Sequence, residues 1–159
     1  MTEEAQIGPR ICFAASSGGH LEEISRLTGV KEGRECFLIT EKSGFEDSSF
    51  CENVYYVDQI NRKQVTFIPS FIRLFFRCRK ILKKEKADCV LTTGALMGFA
   101  AALAGKLMGK KIIYIESFAR VDTASLTGRL IHPIADLFIV QWEEGLAFFP
   151  KAVYGGAIF

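Results

Sequence analysis

Histidine is nearly missing from this 159-residue chain, which holds only His20 and His132. No two of the five cysteines are spaced C-x-x-C, and D-x-D does not occur. These absences remove the usual spaced ligand sets, so no metal is expected. The cysteine count is odd and most thiols sit in apolar runs, which points to reduced core residues in a cytosolic protein. G-x-x-x-x-G-K-[ST] and G-x-G-x-x-G are both lacking, and with them the two best-defined nucleotide-phosphate loops. The first ten residues carry Glu3 and Glu4 and no apolar core, so no secretory leader is expected. The longest uncharged stretch, Cys89 to Gly105, falls short of the ~20 apolar residues of a spanning helix.

What is present fits one globular domain over residues 1–159. Hydrophobic residues make up 49% and charged residues 24%. A chain of this length buries enough surface to form a core without staples. The net charge of +2 hides a strong asymmetry. Residues 62–86 hold nine basic side chains and one acidic, Glu85, so the remainder is net acidic. Such a segment seeks an anionic partner.

Short apolar runs alternate with helical patterns. Strands are expected at 11–15, 36–40, 54–57, 89–92, 111–115 and 137–140. Helices are expected at 20–27, from about Pro69 to 84, at 98–108 and at 124–131. Continuous apolar strands are buried on both faces, and strand–helix alternation implies right-handed crossovers. The expected fold is therefore α/β and Rossmann-like, a mostly parallel sheet with helices on both faces. Its ligand edge lies beyond the carboxyl ends of the strands.

Three polar turns fall on that edge. In the first, backbone N–H groups of Ser17, Gly18 and Gly19 suit a phosphate or diphosphate, although a plain tight turn with a serine cap explains them equally. His20 follows, and its near-neutral titration suits a general base; the alternative is a histidine bonded to a neighbouring loop. Thr93, Gly94 and Ala95 repeat the strand–turn–helix pattern as a modest anion-site candidate. In the third turn Glu116 can orient a hydroxyl or pair with Arg120, beside Ser117; a structural salt bridge explains it equally. His132, next to Pro133, reads as structural.

The basic segment reads as an amphipathic helix. Phe67, Phe71, Leu74, Phe75, Cys78 and Leu82 lie at helical spacings, and Ile68, Ile72 and Phe76 add more apolar surface than one core-facing stripe needs. Phe71, Phe75 and Phe76 are the aromatics expected at a membrane. Arg73, Arg77, Lys80 and Lys84 line a cationic face. The pattern fits binding in the plane of an anionic membrane, against the alternative of a core helix with a solvated basic face. Nothing resembles a helix-turn-helix, a zinc finger or an RNA-recognition sheet, so no nucleic-acid partner is expected.

The runs S-G-G-H at 17–20, L-T-T-G at 91–94, Y-I-E-S-F-A-R at 114–120, L-T-G at 126–128 and F-I-V-Q-W at 138–142 occur in that order. Together they resemble the PssD/CpsF group of bacterial polysaccharide-biosynthesis proteins. That group is similar to the membrane-recruiting subunit of the eukaryotic two-subunit enzyme that adds the second GlcNAc to dolichol-diphosphate-GlcNAc. A more distant likeness is to the N-terminal half of MurG-type GT-B transferases, whose Gly-Gly-Tyr turn is here Thr93-Gly94-Ala95.

The resemblance implies the acceptor-side half of a split GT-B enzyme in capsule or exopolysaccharide synthesis. A separate donor-binding C-terminal-half subunit would hold the UDP-sugar, so this chain alone would bind no cofactor and be inactive or weak. The acceptor would be a saccharide on a polyprenyl diphosphate, its diphosphate held by the two glycine turns. The transfer would be inverting, with His20 as base and Glu116 orienting it or the acceptor. The chain would be cytoplasmic, peripheral on the inner face of a bacterial plasma membrane. Two other roles stand beside this one: a non-catalytic activator that recruits the donor subunit, and a stand-alone nucleotide-binding Rossmann protein.

Overall fold

The computed structural model describes residues 8–42 and 49–159. Its elements are β1 (Ile11–Ala15), α1 (Gly19–Ser25), α2 (Thr28–Lys31), β2 (Cys36–Glu41), β3 (Asn53–Val57), α3 (Phe67–Lys84), β4 (Cys89–Thr92), α4 (Ala95–Leu107), β5 (Lys111–Ile115), α5 (Leu126–Ile131), β6 (Leu137–Val140) and β7 (Val153–Tyr154). A 3-10 turn, Glu143–Ala147, links the last two strands. The seven strands pair in the order β3-β2-β1-β4-β5-β6-β7, and every pairing is parallel. The order reverses between β1 and β4, and a crevice opens there at the carboxyl ends of the strands.

Alternation along each strand divides the core in two. Cys12, Ala14, Phe37 and Ile39 face α3, α4 and α5, whereas Ile11, Phe13, Ala15 and Leu38 face α1. The small residues of α4 let it lie hard against the sheet. A Cβ on Gly98 would sit 2.2 Å from Thr92 Oγ1, and one on Gly105 would sit 2.8 Å from Val90 Cγ2. α3 turns Leu74, Cys78, Ile81 and Leu82 inward. Its exit is fixed by Glu85, the one acid of the basic segment, which is buried against Arg10 and Tyr55 Oη. Lys86 then adopts a positive φ of 52°, and Ala87 N–H closes onto Leu82 C=O at 3.1 Å, as at helix ends that satisfy their last carbonyls.

Several expectations are corrected. α4 starts at Ala95, not at residue 98, because Gly94 turns the chain at φ 117° and the helix winds at once. α1 stops at Ser25, and α2 and β7 had no clear apolar signal. β7 is two exposed residues that extend an entirely parallel sheet. Four cysteines are buried and Cys36 is half-buried; all five are thiols.

Candidate functional site

A cleft of about 880 Å³ opens over the switch point. Its floor comes from the ends of β1, β4 and β5, and one wall from residues 59–64 between β3 and α3. His20 lines it from the first turn of α1. Thr93 Oγ1 donates to the His20 carbonyl at 3.1 Å, which ties the first two turns together. The imidazole lies over Gly94, where a Cβ would be 3.5 Å from His20 Cε1 and 3.1 Å from Tyr114 Oη. Glycine is thus required for both space and φ. Burial lowers the His20 pKa from its ordinary 6.5; the Thr93 backbone and the Glu116 charge oppose this, and Arg120 adds to it. The net effect is downward, so the ring is neutral at neutral pH. Its Nδ1 is buried and has no protein partner. A neutral imidazole on a cleft wall can accept a proton.

Glu116 directly follows β5 at the base of the cleft and is 2% exposed. Its Oε1 accepts from Tyr114 Oη at 3.1 Å and Ser117 N at 3.0 Å. Its Oε2 accepts from Ser125 N at 3.2 Å and Ser125 Oγ at 3.0 Å. Ser125 Oγ also caps α5 by accepting from Gly128 N at 2.8 Å. Four donors on one carboxylate make it the joint between β5 and α5. Gly128 has no room for a side chain, since its Cβ would come 2.3 Å from Glu116 Oε2.

A second buried carboxylate, Glu23 of α1, crosses to the same loop. Its Oε1 accepts from Ser117 Oγ and Phe118 N, each at 3.0 Å, and its Oε2 from Gln141 Nε2 at 3.5 Å. Burial raises the Glu23 pKa, the bonds from Ser117, Phe118 and Gln141 oppose this, and the Glu116 charge adds to it. Gln141 also donates to the Glu116 carbonyl at 3.0 Å and accepts from Ile158 N at 2.9 Å. Trp142 Nε1 donates to the Phe118 carbonyl at 2.8 Å. The E-S-F and V-Q-W runs are therefore two sides of one buried network.

Of the expected site residues, His20, Glu116, Ala95, Ser117 and Arg120 line the cleft, while Ser17, Gly18, Gly19, Thr93 and Gly94 do not. Thr93 is fully buried, and the Gly94 N–H is taken by Thr92 Oγ1 at 3.1 Å. The Ser17 backbone acts on the Glu41 carboxylate at the end of β2, holding its pKa down against a larger upward push from burial. Glu23, Glu41 and Ser125 were missed, and Tyr114 and Gln141 were noted only within the resembling runs, with no role given. The one available signal was polarity out of place: an acid beside Ile24 on a helix's apolar side, and a glutamine closing an apolar strand.

On α3 the expected membrane set divides. Phe71 and Phe75 pack against the core, Phe71 stacking on Phe99 at 5.9 Å. The outward apolar stripe is Ile68, Ile72 and Phe76, the surplus set expected from the sequence, exposed by 68%, 50% and 56%. Arg73, Arg77, Lys80 and Lys84 are exposed beside it. Among the described residues no helix is long and apolar enough to cross a membrane, and no cluster of His, Cys, Asp or Glu is arranged to hold a metal.

This doubly wound parallel sheet, with its cleft at this edge, has the fold of one half of two-domain GT-B structures. The chain superposes on Acinetobacter baumannii MurG with a TM-score of 0.68 and 16% identity, covering 83% of this chain and 41% of that one. On the UDP-N-acetylglucosamine 2-epimerase of Rickettsia bellii the TM-score is 0.74 at 15% identity, covering 94% and 45%. It thus spans less than half the length of these solved structures.

The family model for oligosaccharide biosynthesis protein Alg14 like matches residues 40–158, and the chain belongs to that family. The UDP-N-acetylglucosamine transferase subunit ALG14 of Mus musculus is 31% identical over 180 residues, covering 94% of this chain and 82% of that protein. The Candida albicans subunit of the same name is 29% identical over 171 residues, covering 94% and 78%.

Proposed function

We propose that this chain is the acceptor-side subunit of a two-polypeptide, UDP-sugar-dependent glycosyltransferase. The observation that carries the proposal is the half-size GT-B fold, with a cleft on the edge where a second domain would close it, in a chain whose relatives are named as transferase subunits. The second wall and the UDP-sugar belong to a partner that supplies the donor-binding half. The acceptor is a saccharide on a polyprenyl diphosphate, and the product forms with inversion. The capsule or exopolysaccharide setting, on the inner face of a bacterial plasma membrane, rests on the resemblance to PssD/CpsF proteins.

In this reading the acceptor hydroxyl loses its proton to His20 as its oxygen attacks the anomeric carbon and UDP leaves. The depressed pKa of His20 keeps it unprotonated for that step. Glu116 is a positioning residue: through Tyr114 and Ser125 it fixes the floor against which the acceptor and His20 are aligned. α3 lays Ile68, Ile72 and Phe76 on the membrane, with its cations at the lipid headgroups.

The test is reconstitution with the donor-binding partner. His20→Ala is expected to lower transfer about 100-fold or more with the complex intact. Near wild-type transfer in that variant would remove the catalytic role and leave a non-catalytic activator.

A further inference from the structure

Several polar groups of the two glycine turns are already engaged. The Ser17 backbone faces the Glu41 carboxylate, the Thr93 hydroxyl is spent on the His20 carbonyl, and the Gly94 N–H is spent on Thr92. α1 is only seven residues long, so its terminal dipole is slight. A diphosphate at the first turn would also meet the buried Glu41 carboxylate, a like charge.

The opposite holds at the lip of the cleft. Arg62 and Lys63 line it from the β3–α3 loop, and Arg120 lines it from the loop after β5. All three are exposed, and none is ion-paired among the described residues. The Arg120 charge is the smallest of the influences on the His20 pKa, and it acts downward. Asn61 Oδ1 accepts from Lys63 N at 3.0 Å and turns the lip at that point. Two residues on, Val65 is fully exposed and begins the apolar stripe of Ile68, Ile72 and Phe76. Cations at the mouth of a cleft, followed by an outward apolar ridge, match an amphiphile with a polyanionic head and a hydrocarbon tail.

We infer that Arg62, Lys63 and Arg120, rather than the glycine turns, hold the diphosphate of an isoprenyl-diphosphate-linked acceptor, with its lipid leaving along Val65–Phe76. This rests on the acceptor-side reading above and adds the residues that hold the anion. Guanidinium forks pair bidentately with phosphate oxygens, and lysine adds a point charge. The same cations would attract a phospholipid headgroup, so a test must separate the two sources of phosphate.

The full chain is titrated calorimetrically with geranyl diphosphate, which is water-soluble, in the absence of vesicles. Arg62→Ala/Lys63→Ala and Arg120→Ala are each expected to weaken binding about tenfold or more. Gly19→Val puts bulk at the first turn where no atom lies within 4 Å, and it is expected to change binding less than about twofold, as is Lys80→Ala/Lys84→Ala. Unchanged melting temperatures show that the surface variants are folded.

Absence of binding by the wild-type chain, loss of binding in Gly19→Val, or full binding in Arg62→Ala/Lys63→Ala would each overturn the inference. So would a double variant that loses affinity only for phosphatidylglycerol vesicles, which would assign the cations to headgroups. Transfer assays with the donor-binding partner separate the two levels. Geranyl diphosphate binding that depends on the three cations, without any transfer, refutes the transferase reading and leaves the anion site. Transfer that ignores the three cations refutes the site and leaves the transferase.

Discussion

The floor and the lip of the cleft are built in opposite ways. On the floor Glu116 has four donors and Glu23 three, and both are buried by the elements they join. At the lip Arg62, Lys63 and Arg120 are exposed, with no acidic partner among the described residues. Buried charge that is fully hydrogen-bonded fixes one backbone arrangement, whereas exposed charge without a partner is available to a ligand. His20 stands between them, tied to the floor by its carbonyl and open to the cleft by its ring. Under the proposal above, the difference separates residues that shape the site from those that would touch what enters it.

The sharpest way to break the contrast is to empty the floor. Glu116→Ala leaves the Tyr114 and Ser125 hydroxyls and the Ser117 and Ser125 amides without their acceptor. It should cost about 3–5 kcal/mol in chemical denaturation, a large share of the ~5–15 kcal/mol of a typical domain. A stability loss within error would mean that Glu116 is not the joint described. Next comes packing beneath the floor. Gly98→Ala forces a Cβ to within 2.2 Å of Thr92 Oγ1 and should cost about 1–3 kcal/mol by thermal melting, whereas an alanine at the open Gly19 should cost less.

The pH profile probes the boundary. Because the folded state favours neutral His20, the acid limb of the rate with the donor-binding partner should lie below pH 6.5, with activity rising as pH rises through it. The same preference lowers stability as pH falls below the unfolded value of 6.5, since protonation is then easier in the unfolded chain. His20→Ala should remove both effects; an acid limb that persists belongs to another group. The smallest effects belong to α3. Phe76→Ser should reduce partition onto anionic vesicles about tenfold. Lys80→Glu should reduce it several-fold and in a salt-dependent manner, while melting temperatures stay within about a degree. Partition that ignores both substitutions and salt would take α3 off the membrane.

Much of the sheet was legible because both-face burial writes strands as unbroken apolar runs, as in ICFAA and CVLT. β7 was not, since two exposed edge residues bury too little to leave a pattern. The position of the cleft was legible too, for the polar turns must follow the strands. The use of each residue was not. Glu23 meets Ser117 from 94 positions away and Gln141 from 118, and no local spacing encodes such pairs. Glycines in the first two turns looked like anion cradles, but Gly94 is needed for its φ of 117° and for the Tyr114 and His20 rings above it. The basic run was read as one surface, although the first turn of its helix separates cleft-lining Arg62 and Lys63 from the cationic face of α3.

The most direct test is transfer from a panel of UDP-sugars to a lipid-diphosphate-linked saccharide, measured with this chain alone, with the donor-binding partner alone, and with the two combined. The account predicts product only from the combination. Full activity from this chain by itself, or none from the pair once they are shown to associate, would contradict it.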